Sequence, residues 1–140
     1  MAHATEMTGV YSELVAMVAL TANGYVVSRP LSREAYDLEA TDPLGNHARY
    51  QVKTISRRSD RRNELVVYAT KGRGQRYSQS DFDYIIGVLG DEGAVPRVFL
   101  MENRCLREYW ASEARAAKRW VELPIELNRE LLKQNEGAGA

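Results

Sequence analysis

The sequence predicts an α/β fold: a central mixed β-sheet of about five strands flanked by helices. Three observations predict it. Near the N-terminus, Val10, Leu14, Met17, Val18 and Thr21 recur at helical spacing. Two alternating runs, Tyr36–Ala40 and Ala48–Thr54, are separated by Asp42-Pro43-Leu44-Gly45-Asn46, a turn by composition, and so read as a hairpin. Tyr84–Leu89 is a continuous apolar run bounded by polar and turn residues, as a central strand is. With 140 residues the chain fits one domain, residues 1–140, and is too short for two full cores.

Taken in order, Thr8 is the expected N-cap of the first helix, about 14 residues long, with the Val10-Leu14-Val18 stripe as its apolar face and Asn23-Gly24 as its stop. Tyr25–Ser28 is a short strand, and residues 31–35 form a loop leading to the strand at Tyr36. After Lys53, residues 56–63 form a polar loop with four arginines, followed by a strand at 64–69 rich in β-branched and aromatic residues. Residues 71–77 form a glycine-spaced basic loop. It lacks the third glycine, the GK[ST] and the following helix of a phosphate-cradling motif, so no nucleotide cofactor is expected. Asp81 and Asp83 are expected to cap or to pair with the basic loops. Residues 90–93 form a turn and 96–101 an outer strand that begins at Pro96, where no ladder donor is lost. From residue 102 the pattern reads as helical, with Leu106, Tyr109, Trp110, Ala114 and Ala117 on one face, a break at Leu123-Pro124, and a closing helix over 125–133.

Residues two apart on a strand share a face, which puts Gln51 and Lys53 together; hairpin pairing brings Asp37 beside them. A carboxylate, an amide oxygen and an ammonium on one face are costly inside a core but suited to a metal ion and a phosphate. The order Glu13 in a helix, Asp37, then Gln51-x-Lys53 resembles the PD-(D/E)xK nuclease superfamily, which includes restriction endonucleases, Holliday-junction resolvases and some homing endonucleases. The likeness covers roughly residues 9–101, leaving C-terminal helices over about 103–134.

That resemblance implies a restriction endonuclease-like three-layer core and an endodeoxyribonuclease that hydrolyses phosphodiester bonds with Mg²⁺, Mn²⁺ being able to substitute. It implies Asp37 as bridging carboxylate, the Gln51 side-chain oxygen and the Val52 carbonyl as further metal ligands, and Glu13 acting through a water or on a second ion. Lys53 would orient or deprotonate the attacking water or stabilise charge on the phosphorus. Most members carry Glu or Asp where this chain has Gln51, and the alternative is a catalytically inactive nucleic-acid-binding, regulatory or interaction module of the same fold. One chain can build one active site, so cutting both strands of a duplex implies a homodimer, with the Trp110 segment as the expected interface.

Net charge is zero, but residues 29–76 hold eleven Lys and Arg against six Asp and Glu, and the rest of the chain is correspondingly acidic. Association with a polyanion follows the local field rather than the sum. Arg57, Arg58, Arg61, Arg62, Lys71, Arg73 and Arg76 are the expected phosphate contacts to DNA. Cys105 is the only cysteine, which excludes an internal disulfide and suits a reducing compartment. Neither a membrane span nor a signal peptide is read in the sequence, so the expected location is cytoplasmic. His3 and His47 are isolated and are read as surface residues.

Overall fold

The computed structural model describes residues 3–133. Its first element, α1 (Ala4–Ala22), is capped five residues before the expected cap, at His3, whose backbone N–H reaches Glu6 Oε2 at 3.4 Å. Thr8 lies inside the helix and donates its hydroxyl to the Ala4 carbonyl at 2.8 Å. Asn23 ends the helix as expected. Its amide donates to the Ala19 and Pro124 carbonyls, both at 2.8 Å, and Gly24 follows at φ +82°, with Leu131 so close that a Cβ would clash.

The face that α1 buries is not the one its largest apolar residues suggest. Ser12, Val15, Ala16, Ala19, Leu20 and Ala22 pack on the sheet, while Val10, Leu14 and Val18 stay about half exposed. Small side chains let the helix axis approach the sheet closely, and a row of larger ones would hold it off. The helix is apolar on both sides, so periodicity alone does not say which side is covered.

The central sheet has six strands in the order β1-β2-β3-β6-β7-β9. They are β1 (Val26–Ser28), β2 (Leu38–Thr41), β3 (His47–Thr54), β6 (Tyr84–Leu89), β7 (Arg97–Glu102) and β9 (Val121–Leu123). Only the β3–β6 pair is parallel, which makes the sheet mixed. A second sheet, β4-β5-β8, is formed by β4 (Ser56–Arg58), β5 (Glu64–Tyr68) and β8 (Glu108–Ala111). The expected hairpin and the central apolar strand are both present.

Four expectations are corrected. Residues 56–63 are not a plain loop: Ser56–Arg58 pair with Glu64–Val66, and a 3₁₀ turn covers Ser59–Arg61. The segment at 108–111 is a strand, because Tyr109 and Ala111 are buried while Trp110 projects outward, a period of two rather than 3.6. The helical part of the C-terminal region shrinks to a 3₁₀ turn, the short α2 (Ala116–Arg119) and residues 129–133; residue 134 lies outside the described residues. The strand at 97–102 is not outermost, since β9 pairs along its far edge.

Two apolar clusters sandwich the central sheet. One lies under α1 and joins Val15, Ala16, Ala19 and Leu20 to Leu38, Tyr50, Ile86, Val88 and Val98. The other lies between the two sheets and joins Leu65, Val67, Phe82, Ile85, Leu89, Phe99, Tyr109 and Trp120. No described helix is long and apolar enough to cross a membrane.

Gly87 pairs with Lys53 across the parallel ladder, and a Cβ there would lie 3.0 Å from Ile55 Cγ1 and 3.1 Å from Met101 Cε. Gly87→Val is expected to cost about 1–3 kcal/mol through overpacking. A fall in the urea midpoint at unchanged slope would show it.

Candidate active site

The β2–β3 hairpin sets the site. Asp42 Oδ1 accepts the backbone N–H groups of Leu44 and Asn46, both at 2.9 Å, and Gly45 takes φ +92° at the tip. This turn fixes the register, with Leu38 opposite Tyr50 and Thr41 opposite His47. Asp37 therefore arrives one residue before β2, where the paired segment ends. Its backbone N–H donates to the Tyr50 carbonyl at 2.8 Å, and its Oδ2 accepts the Val52 N–H, also at 2.8 Å. Val52 thus turns its peptide groups toward the β2 side at a point beyond the end of β2, which leaves its carbonyl without a ladder partner there.

Alternation along β3 separates two functions. Ala48, Tyr50 and Val52 face α1, whereas Arg49, Gln51 and Lys53 face the other way. Lys53 Nζ donates to the Tyr77 hydroxyl at 3.1 Å and lies 5.2 Å from the centre of that ring. Tyr77 in turn packs edge-on against buried Phe82, at 4.8 Å between centroids. Sequence reasoning passed over Tyr77 because the only signal for it is its place at the end of a basic loop.

Glu13 lies on α1, which packs on the face of β3 opposite Gln51 and Lys53, and its link toward Asp37 runs through Arg29. Ser12 hydrogen-bonds Thr54 at 2.7 Å, tying the helix to the end of β3, and Glu13 pairs with Arg29 at 2.7 Å. Arg29 is close enough to Asp37 to favour its charged form, as do Lys53 and the Val52 N–H. Burial outweighs all three and raises the Asp37 pKa above its ordinary value. Arg29 is the second residue missed from sequence; it stands just before Pro30, with no motif to mark it.

The Asp37 and Gln51 side chains and the Val52 carbonyl carry oxygens of the hard kind that Mg²⁺ or Mn²⁺ takes. Only one of the three is a carboxylate. Correspondingly, among the described residues no group of three or more His, Cys, Asp or Glu side chains is arranged to hold a metal.

The basic residues divide into two groups. Arg57 is held by Asp91 at 2.6 Å and Glu113 at 2.8 Å; Arg58 pairs with Asp60 at 2.5 Å; Arg61 bridges Glu64 and Glu108; Lys71 pairs with Asp81 at 3.1 Å. Asp81 also accepts the Ser78 N–H, the larger cause of its lowered pKa, and Asp83 accepts the Arg49 N–H at 2.8 Å, so both acids pair with basic segments as expected. Arg62, Arg73 and Arg76 make no ion pair among the described residues. Arg62 and Arg73 sit at positive φ, +56° and +65°, on exposed turns. Trp110, on β8 rather than a helix, is covered on one face by Arg119, 4.0 Å from the ring centre.

A family model for PD-(D/E)XK endonucleases matches residues 3–96. Among solved structures the chain is similar to a bacterial homing endonuclease, with 20% identity and a TM-score of 0.65 over 98% of this chain and 97% of that one, a likeness of fold. No curated protein matches the chain.

The Arg57 cluster yields a pH prediction. Hydrogen bonds from Arg57 hold the pKa values of Asp91 and Glu113 below the ordinary carboxylate range. Lowered pKa values mean that the stabilisation is present in full above the unfolded values near ~4 and is lost as pH falls through the folded ones. Arg57→Ala should therefore lower the melting temperature by a few degrees at pH 7. Thermal melts across the acid range should show the gap to the parent protein closing below about pH 4.

Proposed function

The chain belongs to the PD-(D/E)XK endonuclease family, and on that premise we propose that it hydrolyses phosphodiester bonds in DNA through Asp37, Gln51, Lys53 and Glu13. The observation that carries this reading is the lock between Asp37 and the Val52 N–H, which holds a half-buried carboxylate against β3 at the residue between Gln51 and Lys53. Asp37, Gln51 and the Val52 carbonyl would hold Mg²⁺, or Mn²⁺ in its place, with Glu13 acting through water or on a second ion; when bound, the cation polarises the phosphate and acidifies a water.

Lys53 supplies the charge that moves or stays with the proton. Its ammonium donates to Tyr77, which directs Nζ along the face of β3 instead of leaving it to swing in solvent. From there it orients a water toward the phosphorus or donates to the developing oxyanion. Glu13 is held by Arg29, so that exchange of this partner for a cation or a water network is the step that would bring it into play. Arg62, Arg73 and Arg76 are the side chains available to the phosphates flanking the cut, because they have no internal acid to satisfy.

A second reading, binding without cleavage, is favoured by Gln51, whose neutral amide leaves the site with one carboxylate fewer than the family pattern. Nicking of supercoiled plasmid separates the two. Cleavage with Mg²⁺ or Mn²⁺ is expected to vanish in EDTA and to fall at least about 10²-fold in Asp37→Ala and Lys53→Ala. Cleavage that survives both substitutions would refute this centre. Binding without any cleavage would establish the second reading.

The two groups of basic residues give a separate test. In DNA-binding titrations over a range of salt, Arg73→Ala and Arg76→Ala should each flatten the slope of log K against log salt by about 0.9. Arg57→Ala should leave the slope as it is.

A further inference from the structure

The sheet covers one apolar face of α1 and leaves the other open. On the open face Met7, Val10, Tyr11, Leu14 and Val18 are 59, 56, 44, 52 and 50% exposed. Single exposed apolar residues are ordinary, but a contiguous stripe of large ones marks an interaction surface. Four of the five, Met7, Tyr11, Leu14 and Val18, follow one another at intervals of four, three and four residues. This is the two-per-heptad seam through which helices pair.

That spacing reads the same in either chain direction. A stripe that is its own reverse is matched by a second copy of itself running antiparallel across a twofold axis, with Met7 opposite Val18 and Tyr11 opposite Leu14. Charge raises no obstacle. The only acidic or basic side chains among Ala4–Ala22 are Glu6 and Glu13, and Glu13 is neutralised by Arg29 on the flank of the stripe.

Area agrees. Half of the surface of five large side chains is on the order of 400 Å². An interface about 57% apolar therefore reaches roughly 700 Å² per partner with its polar rim, close to the ~800 Å² of a standard specific interface.

We propose that the open face of α1 is the surface on which two copies of this chain associate, antiparallel about a twofold axis. The proposal stands apart from the catalytic reading, because mass and cross-linking are measured without DNA or cleavage. It also places the dimer contact on α1 rather than at Trp110, which is 43% exposed with Arg119 over one ring face.

Sedimentation equilibrium tests it. The parent protein should show twice the chain mass at micromolar concentrations, and Leu14→Glu and Val18→Lys should show the chain mass with unchanged far-ultraviolet circular dichroism. Trp110→Glu should remain a dimer. In a Cys105→Ser background, mixing Tyr11→Cys with Leu14→Cys should give a disulfide-linked pair faster than either variant gives one alone. A monomeric parent, a dimer that persists in both Leu14→Glu and Val18→Lys, or faster Leu14-to-Leu14 than mixed cross-linking would overturn the proposal.

Discussion

One hydrogen bond, from the Val52 N–H to the Asp37 carboxylate, carries more of this structure than its size suggests. Strand β3 is paired to β2 only as far as Tyr50, so the peptide groups of Val52 face a gap. An unpaired N–H in a half-buried position costs about 1–3 kcal/mol, and the Asp37 side chain meets that need in place of another strand. In doing so it is fixed against β3 at Val52, the residue between Gln51 and Lys53. The register of the hairpin, set at the far end by Asp42, is thereby checked at this end by a charged side chain. A slip by one residue would turn Gln51 and Lys53 toward α1 and bring Tyr50 out of the core.

The second constraint is electrostatic. The basic excess over residues 29–76 is real, yet much of it is consumed inside the fold. Arg57, Arg58, Arg61 and Lys71 are each satisfied by one or two carboxylates, several of them from outside that segment: Asp81, Asp91, Glu108 and Glu113. The acidic remainder of the chain is the counterpart of the basic segment, and neutrality overall follows from that pairing. Within that segment the arginines without an ion pair among the described residues are Arg33, Arg62, Arg73 and Arg76. The positive φ at Arg62 and Arg73 belongs to tight exposed turns with no packing that would demand arginine. Local charge counts read from sequence overstate a binding surface whenever they do not separate cations that have partners from those that lack them.

The parts of this fold legible in the sequence are those decided locally. The Asp42–Asn46 turn, the alternation on either side of it and the apolar run of β6 each carry their own signal, and the sharing of a face by Gln51 and Lys53 follows from strand geometry. The parts that were not legible depend on what packs against what. Glu108–Ala111 is four residues long, too short for two periods of alternation to stand out against a helical reading through Leu106, Tyr109 and Trp110. In α1 both faces are apolar, and the sheet selected the one lined with alanine because it permits closer approach. Tyr77 and Arg29 became visible only through contacts, since neither lies within a spacing that chemistry would demand.

Gln51 is where these constraints meet. Burial already pushes the Asp37 pKa upward against the pull of Lys53, Arg29 and the Val52 N–H. A glutamate at position 51, one residue from the Val52 N–H that Asp37 accepts, would push it further. A second carboxylate would strengthen the hold on a divalent cation and raise the cost of the site without one. An amide gives up that charge, keeps an oxygen on the same face, and leaves Asp37 as the single carboxylate whose ionisation the neighbouring Lys53 and Arg29 have to support. In the proposed site, affinity for the cation is therefore traded against the stability of the empty fold, and Lys53 serves both sides of that balance.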